Sequence, residues 1–184
     1  MSHFPTKRFE GKTYTFEHLA PAEHMVPLSV SNPVIAKLHV TYSIHCFTEE
    51  FDGSVHRDHH RYTHAEETRA FDLTRYECSF HLPAIISNLA RAKVYRARQD
   101  NYTYVAQIPT VGQQQEPYSL FFTLKSVGTV PEEPVVRMYV QSAYIKPLTV
   151  AANAQNWRFG SLIGQLTGVF TPPSKKERPK KKAP

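Results

Sequence analysis

Along residues 38–46, LHVTYSIHC, the apolar positions Leu38, Val40, Tyr42, Ile44 and Cys46 alternate with His39, Thr41, Ser43 and His45. That period of two predicts a strand with one face in a core and the other in water. Three more strand-like runs come later: NYTYVAQI, YSLFFTLKSV and VVRMYVQSAYI. Their connectors, PTVGQQQEP and GTVPEEP, are rich in turn residues and too short for a parallel crossover, so an antiparallel meander is expected. The middle run carries Leu120, Phe121, Phe122 and Leu124 and reads as a central strand covered by a helix.

The period changes in DLTRYECSFHLPAIISNLARAKV, where Leu82, Ile85, Ile86 and Leu89 form a helical stripe and Thr74 to Glu77 has the form of a capping box. Pro83 interrupts it, and an interior proline costs ~3 kcal/mol, so a kink or two short helices with Pro83 opening the second are expected. In WRFGSLIGQLTG, Phe159, Leu162, Ile163 and Leu166 again follow helical spacing; Gly168 is placed to end the helix, and Gly160 and Gly164 permit close approach. The predicted fold class is α+β: a single domain in which a mostly antiparallel sheet of four to five strands packs against a kinked helix and a short C-terminal helix. Residues 1–33 read as an extended leader with one strand, TYTFEHL, and a proline-containing connector. Residues 34–170 form the core domain, and 171–184 read as a disordered basic tail.

The net charge of +6 is a property of that tail. Residues 175–184, KKERPKKKAP, hold six Lys or Arg against one Glu, which leaves +1 for the rest of the chain. The body lacks the blanket of positive charge that makes a whole domain bind nucleic acid, but the tail can release counterions from phosphate. Lys175, Lys176, Arg178, Lys180, Lys181 and Lys182 are therefore candidate nucleic-acid contacts, with Tyr102 and Tyr104 as exposed rings that stack on unpaired bases. Two cysteines argue against a disulfide framework and for a reducing cytoplasm. No apolar run approaches the ~20 residues that cross a bilayer, so no membrane partner is expected. The absence of GxxxxGK[ST], GxGxxG and HExxH sequences argues against nucleotide hydrolysis, dinucleotide cofactors and a zincin site.

The stretch HCFTEEFDGSVHRDHHRYTH, residues 45–64, holds five of the ten histidines. His56 and His60, or His60 and His64, would share a face if helical, and His59 lies among them. The Asp52-Gly53 turn and the lack of a completing cysteine pair favour a polar loop, and no metal or cofactor is assigned. Cleavage of RNA needs a base for the 2′-hydroxyl, an acid for the leaving oxygen and a fixed cation. His45, on the polar face of the first strand, and Arg137 and Tyr139 on the last are the candidate catalytic set, with Gln141 and Tyr144 alongside. The competing expectation is a protein partner docked on a sheet edge or on the histidine loop, without catalysis.

On IHCFTEEF, FDLTRYECSFHLPAIISNL, NYTYV, YSLFFTLKS, VRMYVQSAY and RFGSLIGQLTG, residues 38–168 resemble a group of small bacterial proteins of plasmids and other mobile elements. The helix-then-meander order is also similar to ribonuclease toxins of the RelE and barnase type. These resemblances imply a nucleic-acid-associated accessory protein, with RNA as the expected partner and a toxin-like ribonuclease as its active form.

Overall fold

A computed structural model describes residues 4–28, 34–98, 101–110, 114–127, 133–148 and 154–170. The leader begins with a hairpin, β1 (Lys7–Phe9) and β2 (Lys12–Tyr14), turned by Glu10 and Gly11, both at positive φ. A 3-10 turn follows, and then β3 (Ala22–Pro27) pairs with β4 (Ile35–Tyr42). A small sheet of β5 (Thr48–Glu49), β6 (Arg61–His64) and β7 (Glu67–Phe71) precedes the helices α1 (Leu73–Ser79) and α2 (Leu82–Ser87). The meander is β8 (Lys93–Arg98), β9 (Asn101–Pro109), β10 (Gln115–Val127) and β11 (Val135–Ile145). The described chain closes with β12 (Asn156–Arg158) and α3 (Phe159–Leu166).

The expected α+β class holds, but not the expected sheet. The main sheet has seven strands in the order β12-β8-β9-β10-β11-β4-β3 and is mixed, because β4 pairs with β11 in parallel. Two local signals hid the extra strands. The leader segment with Pro21 and Pro27 reads as a connector, yet as the edge strand β3 it needs hydrogen-bond donors on one side only. ARAKV continues the helical stripe on paper, yet the chain makes a 3-10 turn at Leu89–Arg91 and enters β8.

The two-helix reading of the Pro83 region is correct, with Pro83 in the first turn of α2. The cap of α1 is Asp72, whose carboxylate accepts from the Arg75 N–H at 3.0 Å, and not Thr74. At the other end of the chain, Gly164 faces the Phe170 ring so closely that a β-carbon would overlap it, and Gly168 takes φ +75° after α3. The tail lysines and Arg178 lie outside the described residues.

The helix-covered face of the sheet is the main core: Leu38 and Val40 of β4, Met138 and Val140 of β11, and Leu120 and Phe122 of β10 are all buried there. A second, aromatic core ties the leader to the rest. Phe16 stacks on Phe47 at 4.1 Å between centroids, and Phe4, Tyr62, Phe71 and Tyr76 meet this pair edge-on. Three polar links close the leader over them: Lys7 Nζ donates to Arg61 O at 2.6 Å, Tyr62 Oη to Pro5 O at 2.8 Å, and Tyr76 Oη to Thr15 O at 3.0 Å.

His18 completes the seam, stacked on Phe80 at 3.7 Å with Nε2 2.7 Å from Ser79 Oγ. Burial pushes its pKa down to about 4. A depressed histidine pKa means that the unfolded chain binds more protons, so stability is complete above the ordinary value near 6.5 and falls as pH drops toward 4. Urea denaturation of the wild type and His18→Gln between pH 7 and 4 should show this as a steeper loss of midpoint for the wild type. At neutral pH, Phe47→Ala should cost ~3–5 kcal/mol in the same assay, because it empties the centre of the aromatic core.

Candidate functional site

The face of the main sheet turned away from the core is written in cross-strand rows. One row runs Lys125 (β10), Arg137 (β11), His39 (β4) and Glu23 (β3); the next runs Thr123, Tyr139 and Thr41; on the other side lie Val127, Val135, Lys37 and Met25. Arg137, Lys125, His39, Lys37 and Tyr139 are all exposed. His39 has a carboxylate neighbour, Glu23, at 3.4 Å. Arg137 and Lys125 have none among the described residues. Like charges directly opposite one another across a strand pair repel, so this pair is a locally unfavourable arrangement that an anion would relieve. A depression of about 200 Å³ is lined by His39, Thr41, Val127, Val135 and Arg137.

Thr41 also lines a larger cavity of about 550 Å³ at the junction with the small sheet, with Ser43, His64, Glu67 and Tyr139. The alternation read from the sequence stops at Tyr42. Ser43 then caps a 3-10 turn over Ile44–Cys46, its Oγ accepting from the His45 N–H at 3.1 Å. His45 is therefore not a strand residue: the cap ends β4 and turns its ring toward Glu67, whose Oε1 is 2.7 Å from Nε2. Arg69 approaches the same carboxylate oxygen at 3.3 Å and donates from Nε to Thr48 Oγ1 at 2.9 Å. Glu67 is brought there by the tight β6–β7 turn, where Ala65 takes φ 52°, a conformation that costs a non-glycine residue ~1–2 kcal/mol.

The sequence-predicted set is thus partly gathered. Arg137 and Tyr139 share one face and adjacent rows, while His45 sits at the end of β4, bonded to a cavity-lining residue without lining the cavity itself. Gln141 is the extra residue of a bulge between Phe121 and Phe122, and Tyr144 lies further along β11 under the Arg75 guanidinium, 4.9 Å from its ring centre. The expectation that Tyr102 and Tyr104 are exposed is corrected: Tyr102 is 4% exposed and packed on Phe122 and Trp157, and Tyr104 is half-buried against the core. Both belong to the core-facing parity of β9.

The histidine loop is held by hydrogen bonds of its own. His56 accepts from the Asp52 N–H at Nδ1 and bonds Glu49 through Nε2 at 2.8 Å, and His60 accepts from the Arg57 N–H at 3.0 Å. Among the described residues, no group of three or more His, Cys, Asp and Glu side chains is placed to hold a metal ion. Sequence reasoning missed Lys125, His39 and Glu67. Lys125 was available from the parity of Phe121, Thr123 and Lys125 on β10, whereas nothing local ties Glu67 to a histidine 22 residues earlier.

The YjaZ family matches the chain over residues 6–167. None of the curated proteins and none of the solved structures matches it.

A neutral imidazole bonded to a carboxylate must donate to it, so His45 should carry its hydrogen on Nε2 and leave Nδ1 with a lone pair. Nitrogen-15 NMR of the imidazole, at a pH where the ring is neutral, should show this tautomer in the wild type and a mixture in Glu67→Ala. A mixture in both would remove Glu67 as the orienting group.

Proposed function

The chain belongs to the YjaZ family, and we propose that it is a nucleic-acid-associated protein that holds a single strand, RNA in the first instance, across the open face of β10, β11 and β4. The observation that carries this reading is the Arg137 and Lys125 pair, exposed side by side with no carboxylate partner among the described residues. Adjacent strands lie about 4.8 Å apart, which sets two cations along one stretch of phosphodiester. Tyr139, 43% exposed one row away, offers a ring on which a base can stack. The mobile-element resemblance supports the same reading, and the free thiols of Cys46 and Cys78 suit a cytoplasmic setting.

Cleavage is the stronger form of this proposal, favoured by the His45–Glu67 bond. In it, His45 Nδ1 takes the proton of a ribose 2′-hydroxyl, Arg137 faces the phosphoryl oxygens and Tyr139 protonates the leaving 5′-oxygen. A docking module for a partner protein is the competing reading. It is favoured by Met25 and Ile35, 59% and 50% exposed near the β3 edge.

Binding of labelled single-stranded RNA, measured against salt, separates them. Arg137→Ala should lower the slope of log affinity against log salt by about 0.7, the value for one phosphate contact on a single strand. Tyr139→Ala should cost ~1–3 kcal/mol as a lost stacking platform. Removal of residues 174–184 reports the tail's share independently. Wild-type affinity and slope in both point variants would overturn the proposal. Incubation of the RNA in EDTA with wild type and His45→Ala tests cleavage: loss of cleavage in the variant is expected, and equal background would leave binding alone.

A further inference from the structure

At the edge of the main sheet opposite β3, the short strand β12 pairs with β8 and sets Arg158 directly across from Lys93, a register that puts their β-carbons about 5 Å apart. Backbone bonds hold the pairing on both sides: the Phe159 N–H donates to Ala92 O and the Arg96 N–H to Gln155 O, each at 2.9 Å. Val94 and Phe159, both fully buried, anchor the two strands. Lys93 and Arg158 are exposed, as are Arg91 in the 3-10 turn before β8 and Arg96 further along it. None of the four has a carboxylate within ion-pair distance among the described residues. Residues 78–98 and 154–170 contain no Asp or Glu.

Protection of a sheet edge does not account for this arrangement. A cation on an edge strand keeps other strands from pairing, and Arg158 does that alone. Lys93 is on the inner strand, where a second cation directly opposite the first is destabilising. A fixed like-charge pair in solvent is relieved by an anion, and phosphate is the anion that exposed Lys and Arg hold best in numbers. The rings nearby are covered by the protein's own cations: Lys93 Nζ lies 5.6 Å from the centre of Tyr95, and the Arg96 guanidinium 5.2 Å from that of Trp157. This edge therefore offers charge without a free stacking surface, in contrast to the open face with Tyr139.

The basic tail continues from the same end of the molecule. Helix α3 follows Arg158 directly, and Phe170 turns back on it, its N–H donating to Gly164 O at 2.9 Å. Gly164 is roughly 9 Å along the helix from Arg158. Residues 175–184 follow from there in the sequence, with six more cations.

We propose that the Lys93–Arg158 pair, flanked by Arg91 and Arg96, is a second nucleic-acid contact, one that binds the phosphodiester backbone of a duplex without reading its bases. It rests on the reading of the chain as nucleic-acid-associated, but not on the open face of β10, β11 and β4. Contacts to phosphate position a protein on a duplex and carry no sequence information, which is the role of a cluster of cations with no free ring.

Binding of a labelled 20-base-pair DNA duplex to the full-length protein, measured against salt, tests it. Lys93→Ala/Arg158→Ala should lower the slope of log affinity against log salt by about 1.8, the value for two phosphate contacts on a duplex. The exchange Lys93→Arg/Arg158→Lys should keep the wild-type slope. The loss should be equal on duplexes of unrelated sequence. A wild-type slope in the alanine variant, no duplex binding by the wild type, or equal binding of a polyglutamate of the same charge would overturn the proposal, the last in favour of an acidic protein partner. Wild-type behaviour of Arg137→Ala and Tyr139→Ala on single-stranded RNA, beside a slope loss in the edge variant on the duplex, would sink the open-face reading alone.

Discussion

The parallel pairing of β4 with β11 is the constraint from which the site geometry follows. It joins two segments about a hundred residues apart and sets Lys37, His39 and Thr41 beside Val135, Arg137 and Tyr139 on one surface. Because side chains alternate, a slip of one residue in β11 would send Arg137 and Tyr139 into the core and bring Val136 and Met138 out, and a slip in β4 would do the same to His39 and Thr41 against Leu38 and Val40. Burial of Leu38, Val40, Met138 and Val140 holds the register, at ~1.5–3 kcal/mol for each large side chain. The polar face is thus positioned by the apolar one. Where the pairing ends, the Ser43 N–H still donates to Val140 O at 2.9 Å, so the turn carrying His45 starts from a fixed point on β11.

The aromatic core extends that order to the cavity's far wall. Glu67 and His64 are on the small sheet of β5, β6 and β7. Its position depends on Phe47, Tyr62 and Phe71 interlocking with Phe4 and Phe16 of the leader. The leader is therefore structural: without it, the His45–Glu67 bond loses the packing that holds its two ends together. Arg75 adds a cross-brace, donating to Thr48 O at 2.8 Å while its guanidinium lies over Tyr144.

Alternation made β4 and the meander legible, and Pro83 marked the division between α1 and α2. What the sequence could not show was set by contacts distant in the chain. The parallel joining of β4 to β11, the edge position of β3 and the approach of Glu67 to His45 leave no local pattern. Ser43 is an instructive case. It sits in phase with a polar strand face, yet its side chain caps a turn, and that competition moved His45 off the strand. The exposure expected of Tyr102 and Tyr104 did not hold for the opposite reason, since a phenol on a strand has the same period whether its ring faces water or core.

Ultraviolet crosslinking of the full-length protein to a short oligouridine, with the attachment sites read by mass spectrometry, is the most direct probe of the sheet face as a strand-binding surface. Attachment at Tyr139 or within residues 121–125 and 137–141 is expected. Attachment confined to residues 171–184, or to the helices α1 and α2, would contradict it.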